Sequence, residues 1–350
     1  MTRKFKIDLF SDTNCGISQG MRQAIMNADV GNEVAGEDPT VNRLLEECRE
    51  LLGKEAAIFM PSGTMCNGIG FRVLCELPGD AILLDKTAHP LHKASGLVAG
   101  LSHAVPYLLE GERGIFTLDQ VREILERPSG YNISVPRVLS IEQPTNFGGG
   151  AIWPLKTLQE ICALASQYGV KTHMDGARLL NVVAVTGISA RDYVAPFDCV
   201  WIDFCKTLGA PMGAVLAGSQ ELIEKAWYYK FQQGGGMHKA GILAAGCLYG
   251  LHHHFSKLKN VHKIAQSLGV LLSKVPYIDL NLQFVETNII LFTVNHPTLS
   301  APQIEAALAK KGIRIFAVDH NTIRLMIHLD IKEEDSATIA DAFLNLVEMP

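Results

Sequence analysis

Short apolar runs alternate with segments of helical periodicity between residues 55 and 218. Seven of these runs have the length and residue types of strands: AAIFM, DAILLD, HAVPYLL, RVLSIE, VKTHMD, CVWIDF and AVLAG. Helical segments lie between them, at residues 117–126 and in WPLKTLQEICALASQYG. Strands that alternate with helices are joined by crossover connections, so the pattern predicts a mostly parallel sheet. Ahead of this region, EDPTVNRLLEECRELLG predicts a helix with Asp38 as N-cap and Pro39 at its first position.

The pattern changes after residue 240. A helical stretch through LHHHFSKLKNVHKIAQSLG is followed by VETNIILFTV, a helix at 301–312, GIRIFAV, TIRLMIHL and a final helix. This order predicts a smaller α/β domain attached through a long connecting helix. Since 350 residues exceed the usual size of one domain, we divide the chain into a large domain over residues 1–250 and a small domain over residues 251–350.

Composition excludes several classes of protein. Hydrophobic residues make up 48% and charged residues 19% of the chain, which is typical of a globular protein and too apolar for disorder. The net charge of −5 argues against nucleic acid or an anionic membrane as a partner. No apolar run has signal-peptide or transmembrane character, so we expect a cytoplasmic protein. The eight cysteines lack C-x-x-C spacing, which predicts reduced thiols and no zinc or redox site.

Polar residues follow three of the predicted strands, and ligands bind beyond the carboxyl ends of open parallel sheets. PSGTMCN opens a helix, where Ser62, Gly63 and Thr64 could offer backbone amides and a hydroxyl to a phosphate. HMDGAR places Asp175 at a strand end. CKTLGAP places Lys206 there, where desolvation lowers the pKa of an amine and makes it nucleophilic. Taken singly, each has an ordinary alternative: a capping turn, a loop aspartate and an exposed loop lysine.

Together the three features match the parts that pyridoxal 5′-phosphate (PLP) requires, which are a phosphate site, an acid for the ring nitrogen and a lysine. The chain also resembles the threonine aldolases, which belong with the β-eliminating lyases to the fold-type-I PLP enzymes. The resemblance is carried, over nearly the whole chain, by IDLFSDT, GNEVAGEDPTVN, PSGTMCN, HMDGAR, CKTLGAP, GGGMHKAGILAA and TIRLMIHLD. It implies an α/β fold of the fold-type-I class, with a mostly parallel sheet in the large domain and a smaller α/β C-terminal domain.

The resemblance implies roles for particular residues. Lys206 would carry the cofactor as a Schiff base, Asp175 would pair with the pyridinium nitrogen, and His89 would stack on the ring and act in catalysis. Arg324 lies inside an apolar strand, where an unpaired charge is costly, which favours a functional role over a structural one. The remaining assignments are phosphate and cofactor contacts from Ser62, Gly63, Thr64 and Arg178, and substrate carboxylate contacts from Ser11, Arg178 and Arg324, since a guanidinium can bond a carboxylate twice.

Three segments depart from the family pattern. GGGMHK has His238 where the family has an arginine directed toward the phosphate, and Lys239 is a candidate substitute. EQPTN has Thr145 in place of a histidine thought to contact the substrate hydroxyl, and Ala35 replaces a usual tyrosine. These departures leave the cofactor assignment intact and leave the preferred side chain and the reaction open.

We therefore predict retro-aldol cleavage of a β-hydroxy-α-amino acid, of the threonine or allo-threonine type, to glycine and an aldehyde, with a base near His89 taking the hydroxyl proton. The alternatives are β-elimination or racemisation on the same scaffold, and a catalytically silent binding protein that has kept the fold. The resemblance also implies a homo-oligomer, either a dimer or a tetramer built from two dimers, with active sites at the subunit boundary. We predict no metal, since the histidines at 252–254 cannot share one helix face, and no nicotinamide cofactor, since the glycine runs at 148–150 and 234–236 lack a dinucleotide setting.

Overall fold

The seven apolar runs between residues 55 and 218 all form strands in the computed structural model, which describes residues 5–128 and 130–346. Each run ends within about one residue of its predicted position. In chain order the strands are β1 (Ile7–Asp8), β2 (Ala56–Met60), β3 (Ala81–Asp85), β4 (Val105–Leu109), β5 (Pro136–Glu142), β6 (Lys171–Gly176), β7 (Cys199–Asp203), β8 (Ala214–Gly218), β9 (Ile278–Asp279), β10 (Ile289–Val294), β11 (Ile313–Arg314), β12 (Phe316–Ala317) and β13 (Thr322–Met326).

The predicted helices are present as well. Asp38 is the N-cap of the second helix, where its carboxylate accepts hydrogen bonds from the Thr40 and Val41 amides, and Pro39 is the first helical residue. In chain order the helices are α1 (Gln19–Met26), α2 (Pro39–Leu52), α3 (Gly63–Leu74), α4 (His89–His92), α5 (Leu97–Gly100), α6 (Leu118–Leu125), α7 (Leu155–Gln167), α8 (Leu179–Thr186), α9 (Ala190–Val194), α10 (Gln220–Gln232), α11 (Gly241–His253), α12 (Leu258–Leu272), α13 (Ala301–Lys310) and α14 (Glu333–Leu344). In the described part of the chain, no helix combines the length and apolar character that a membrane crossing requires.

The large sheet has seven strands in the order β2-β8-β7-β6-β5-β3-β4. Strands β7, β6, β5, β3 and β4 are parallel to one another, which confirms the mostly parallel sheet. Strand β8 is antiparallel to both β2 and β7, so β2 runs in the same direction as β7. The start of α3, just after β2, therefore lies at the same edge of the sheet as the carboxyl ends of β5, β6 and β7.

A second hydrophobic core lies in the C-terminal region. It contains one face of the antiparallel sheet β12-β13-β10-β9 and side chains of α12, α13 and α14. Ile7 and Leu9 also pack into this core, because β1 pairs in parallel with β11. The N-terminal segment thus connects the two regions of the fold, and the division of the chain at residue 250 stays a prediction.

The sequence predicts one continuous connecting helix, but the structure has two helices in its place. Helix α11 ends at His253 and α12 begins at Leu258, with a 3-10 turn at Phe255–Lys257 between them. At the break His254 is buried, its Nδ1 lies 2.8 Å from the Leu208 carbonyl oxygen and its Nε2 lies 3.3 Å from the Ser18 hydroxyl. These tertiary bonds tie the bend to the loop that follows Lys206, which helical periodicity alone cannot reveal.

Candidate active site

All nine predicted site residues line one cavity of about 420 Å³ at the carboxyl edge of the large sheet. The cavity lies between this edge and the C-terminal region, which contributes Phe316 and Arg324. The sequence prediction had placed these residues on separate segments, and the topology of the sheet brings them together. They are Ser11, Ser62, Gly63, Thr64, His89, Asp175, Arg178, Lys206 and Arg324.

Helix α3 presents its N-terminus to this cavity. Ser62 is the N-cap, and its hydroxyl accepts a hydrogen bond from the Met65 amide at 3.3 Å. The indole ring of Trp201 lies against Gly63 so closely that a Cβ there would lie 2.4 Å from two ring atoms. The capping serine and the small glycine leave the positive end of the helix dipole open toward the cavity, which suits an anion.

Asp175 is held by two hydrogen bonds at the end of β6. Its Oδ2 accepts from the Asn67 side-chain amide at 2.9 Å, and its Oδ1 accepts from the Ala177 backbone amide at 3.1 Å. Asn67 in turn accepts a 2.7 Å hydrogen bond from Trp201 Nε1. The sequence analysis assigned no role to Asn67, although it lies four residues after Gly63 and therefore on the same face of α3. The three buried side chains fix the direction of the Asp175 carboxylate.

Lys206 forms an ion pair that the sequence did not predict. Its Nζ donates a hydrogen bond to Asp203 Oδ2 at 2.7 Å, and both side chains are largely buried. Burial by itself lowers the pKa of Lys206, as predicted, but the carboxylates of Asp203 and Asp175 together raise it, and the net pKa lies above the ordinary value. The expected lowering is therefore wrong, because the nearby carboxylates, Asp203 foremost among them, together outweigh desolvation.

Arg178 is already bonded to a carboxylate of this chain. Its Nε and Nη2 donate to Asp12 Oδ2 and Oδ1 at 2.7 and 2.8 Å, and Nη2 also lies 3.6 Å from the sulfur of Met326. Burial alone would raise the pKa of Asp12, but Arg178 lowers it to about 2. One edge of the Arg178 guanidinium is thus occupied by Asp12, and Nη1 makes none of these bonds.

Arg324 is a buried cation without a carboxylate partner among the described residues. Its Nη1 donates to Asn146 Oδ1 at 2.9 Å, whereas its Nε is buried and has no hydrogen-bond partner in this part of the chain. Its guanidinium carbon lies 5.4 Å from the ring centre of Phe147 and 4.9 Å from that of Phe316. Burial, with Arg178 nearby, lowers its pKa to about 10. An unpaired buried cation that faces a cavity is suited to an anionic ligand.

His89 begins α4 and is anchored by a residue that the sequence analysis did not assign. Its backbone amide donates to Glu142 Oε1, and Glu142 Oε2 accepts from the Asn146 amide at 3.1 Å. Burial and the nearby carboxylate of Asp175 raise the pKa of Glu142 to about 7. Burial, supported by three cations of the cavity, lowers the pKa of His89, so its imidazole is neutral at physiological pH.

The positions that depart from the family pattern lie outside the cavity lining of the described chain. The hydroxyl of Thr145 accepts a 3.1 Å hydrogen bond from the Ala151 amide and serves the loop that follows β5. Ala35, His238 and Lys239 are exposed. Within this one chain, none of the four therefore contributes to the site formed by the nine predicted residues.

One other cluster has the composition of a metal site. Cys15, His328 and Asp330 bring one potential ligand atom each to within 4.8 Å of one another. Asp330 Oδ2 also accepts a hydrogen bond from the Gly16 amide, and His328 Nε2 lies 2.8 Å from the Asp8 carbonyl oxygen. Two of the three groups thus hold the N-terminal segment in place, and the absence of a functional metal stays a prediction.

The protein is an α/β enzyme of the fold-type-I class. Two features define this class, which are the order of the sheet and the placement of an aspartate, a lysine and an open helix N-terminus at one sheet edge. A solved threonine aldolase from Leishmania major has the same fold, with a TM-score of 0.83 and 19% identity over 97% of this chain and 99% of that chain. The low-specificity L-threonine aldolase 1 of Arabidopsis thaliana is 34% identical, over 94% of this chain and 93% of the relative. The low specificity L-threonine aldolase of Escherichia coli is 31% identical, over 95% of this chain and 97% of the relative.

The family model described as beta-eliminating lyase matches residues 8–296. The chain belongs to this family of lyases, as the resemblance predicted. Enzymes of the family depend on PLP and act on amino acids.

Proposed function

We propose that the protein cleaves β-hydroxy-α-amino acids to glycine and an aldehyde, with PLP as cofactor. The observation that carries this proposal is the cavity in which Lys206, Asp175 and the open N-terminus of α3 face Arg324, for which the described chain supplies no carboxylate partner. The first three groups suit the cofactor, and the fourth suits the carboxylate of an amino acid. The names of the Arabidopsis and E. coli relatives, both L-threonine aldolases, support the same reaction.

The cavity fits PLP by the chemistry of its donors. Backbone amides at the start of α3, with the hydroxyls of Ser62 and Thr64, suit a phosphate group. The fixed carboxylate of Asp175 suits a protonated ring nitrogen, and Lys206 supplies the amine for covalent attachment. When bound, PLP withdraws electrons from the substrate Cα bond that lies perpendicular to its ring.

Gly63→Ala is expected to weaken PLP binding. The added Cβ would lie 2.4 Å from the buried Trp201 ring, so the ring or the start of α3 must move, and overpacking of this kind costs about 1–3 kcal/mol. We expect the Kd for PLP, measured by fluorescence titration, to rise roughly 5- to 150-fold, the equivalent of this cost. Gly100→Ala is the matched control, since a Cβ there meets nothing within 4 Å. An equal Kd in the two variants would contradict the phosphate assignment.

We assign the substrate carboxylate to Arg324. Its guanidinium lines the cavity and has no carboxylate partner among the described residues, and Ser11 lines the same cavity. Arg178 acts chiefly through its bond to Asp12, which holds the N-terminal segment that carries Ser11. Fixing the carboxylate fixes the rotation of the substrate about Cα and therefore selects the bond that is cleaved.

We assign His89 as the group that accepts the proton of the substrate hydroxyl. A neutral imidazole can accept this proton, and the pKa of His89 is held below its ordinary value mainly by burial. The hydrogen bond from its backbone amide to Glu142 anchors the start of α4 independently of the ring. The ring can therefore stack on the cofactor or accept a proton while the backbone stays in place.

L-Threonine and L-allo-threonine are expected to release glycine and the matching aldehyde. His89→Asn should lower this rate by about 10²–10⁴-fold, the usual contribution of a general base. His92→Asn is the matched control, since His92 lies on the same helix and its ring bonds to the Lys86 carbonyl oxygen. Glycine and 2-oxobutyrate are measured in one incubation. The oxo acid without glycine would overturn the aldolase proposal in favour of β-elimination and leave the PLP proposal standing.

We also infer that the chain forms a homo-oligomer. The exposed side chains of Val34 and Phe231 flank Gly236, next to His238 and Lys239. Exposed apolar side chains that lie close together are typical of an interface. His238 and Lys239 lie outside the cavity of their own chain. Either could therefore replace the family's arginine only in the cavity of a partner chain within the oligomer.

The state of the cysteines is typical of a protein from a reducing compartment. All eight are free thiols, six of them buried, and burial raises the pKa of those such as Cys48 and Cys199 well above the ordinary value. Thiols of this kind are typical of cytoplasmic proteins. We propose that the protein works in the cytoplasm.

A further inference from the structure

Asp203 places a second carboxylate at the floor of the cavity. It ends β7, it is 5% exposed, and its Oδ2 accepts the hydrogen bond from Lys206 Nζ. Its Oδ1 accepts a 2.8 Å hydrogen bond from the Cys205 amide and closes the turn that leads to Lys206. A Cβ on Gly63 would lie 3.2 Å from Oδ2, so this oxygen also borders the start of α3.

A negative charge at this position is costly unless it has a fixed partner. The carboxylate is buried, and it lies beside the helix N-terminus that we assign to an anionic phosphate. The bond to the Cys205 amide does not require a charge, because the side-chain oxygen of an asparagine would accept it equally well. Of the two hydrogen bonds that Asp203 accepts in the described chain, the one that requires the charge is the ion pair with Lys206.

We propose that Asp203 is the permanent counter-ion of Lys206 Nζ and keeps this nitrogen protonated both before and after the cofactor is attached. The inference rests on the proposed covalent attachment of PLP to Lys206. In that attachment Nζ starts as an ammonium with three hydrogens and replaces the carbonyl oxygen of PLP, so that a C=N bond forms. The oxygen leaves as water with two of the hydrogens, and the nitrogen keeps the third together with its positive charge. The charge opposite Asp203 is thus the same in both states.

Other groups around Lys206 act from a greater distance or oppose one another. Asp175 raises the pKa of Lys206 and Arg178 lowers it. The Trp201 ring, 5.3 Å from Nζ, favours the positive charge. Asp203 is the group in hydrogen-bond contact. The titratable and charged groups that face Lys206 from the surrounding elements are Asp12, Cys66, His89, Asp175, Arg178, Asp203 and Cys205.

The test is a spectrophotometric pH titration of the PLP-loaded protein and its Asp203→Asn variant. Protonation at Nζ moves the absorbance of the bound cofactor to longer wavelength, so the midpoint between the two bands reports on this nitrogen. Loss of an opposite charge in direct contact is expected to lower the midpoint by about 1–3 pH units in Asp203→Asn. Asp319→Asn is the matched control, because Asp319 closes a similar turn through its side chain but is exposed and lies outside the cavity lining. Its midpoint should equal that of the unmodified protein.

An Asp203→Asn protein that retains PLP and titrates like the control would overturn the inference, since that result is what a purely structural aspartate gives. A second measurement does not need the cofactor. After PLP is removed with hydroxylamine, the pH dependence of Lys206 labelling by an amine reagent is followed by peptide mass spectrometry. The labelling midpoint should lie above that of the exposed Lys156 and fall by the same 1–3 units in the variant. A midpoint for Lys206 at or below that of Lys156 also overturns the inference, even where the variant fails to fold. Absence of any PLP band, with the labelling result as expected, contradicts the proposed function alone.

Discussion

Lys206→Ala is expected to abolish covalent attachment of PLP and to lower kcat for glycine release by at least about 10²–10⁴-fold, the range for loss of a general base alone. The amine of Lys206 is the nucleophile available at the end of β7, where the Asp203 carboxylate holds it in the cavity. Borohydride reduction of the unmodified protein, followed by peptide mapping, should place the cofactor on the peptide that contains Lys206.

Two lysines provide the controls for this prediction. Among the described residues, Lys93 also lines the cavity, so label on the Lys93 peptide would show that the attachment site is assigned to the wrong lysine. Lys156→Ala removes an exposed lysine on α7 and should leave kcat and the absorbance band unchanged. An active Lys206→Ala protein would exclude covalent attachment from the mechanism.

Arg324→Ala is expected to raise the substrate KM by roughly 30- to 1000-fold, equivalent to the loss of about 2–4 kcal/mol that is typical when one partner of a buried charge pair is removed. The reason is that the Arg324 guanidinium lines the cavity and has no carboxylate partner among the described residues, so it is available to a substrate carboxylate. The Kd for PLP should not change, since Arg324 lies in the C-terminal region and α3 holds the phosphate. Steady-state kinetics and a PLP titration on the same preparation measure both quantities.

Stability distinguishes a binding role for Arg324 from a structural one. A buried cation without a carboxylate partner destabilises the fold, so the Tm of Arg324→Ala is not expected to fall. Arg324→Lys should recover only part of the KM, because an ammonium cannot make the paired bonds of a guanidinium. Arg127→Ala, at an exposed arginine outside the cavity lining, serves as control. A lower Tm with an unchanged KM would mean that Arg324 is structural.

Much of the fold could be predicted because its signals are local. A run such as AAIFM is buried on both faces of the sheet, so its apolar character alone identifies a strand. Asp38 and Pro39 mark the start of α2 through bonds made within three residues. The break after His253 could not be predicted, because it depends on bonds from His254 to Ser18 and Leu208, which are far away in sequence.

The candidate site shows the same division. Its members could be chosen from the sequence because parallel strands end at a common edge, and polar residues after separate strands therefore converge there. The state of each group could not be predicted. Desolvation of Lys206 is visible in the sequence, but the direction of its pKa shift depends on the rotamer that brings Asp203 to 2.7 Å. Likewise, Glu142 becomes a buried acid only through the position of β5 beside Asp175.

By itself, the sequence determined the order of strands and helices, the family and nine of the residues that line the cavity, because these depend on local pattern and on motif. Only the tertiary structure decided which charges are paired. It bonds Arg178 to Asp12, 166 residues away, and leaves Arg324 unpartnered among the described residues. The physical reason is that an ion pair depends on distances of a few ångströms between side chains, and those distances are set by the packing of elements far apart in sequence.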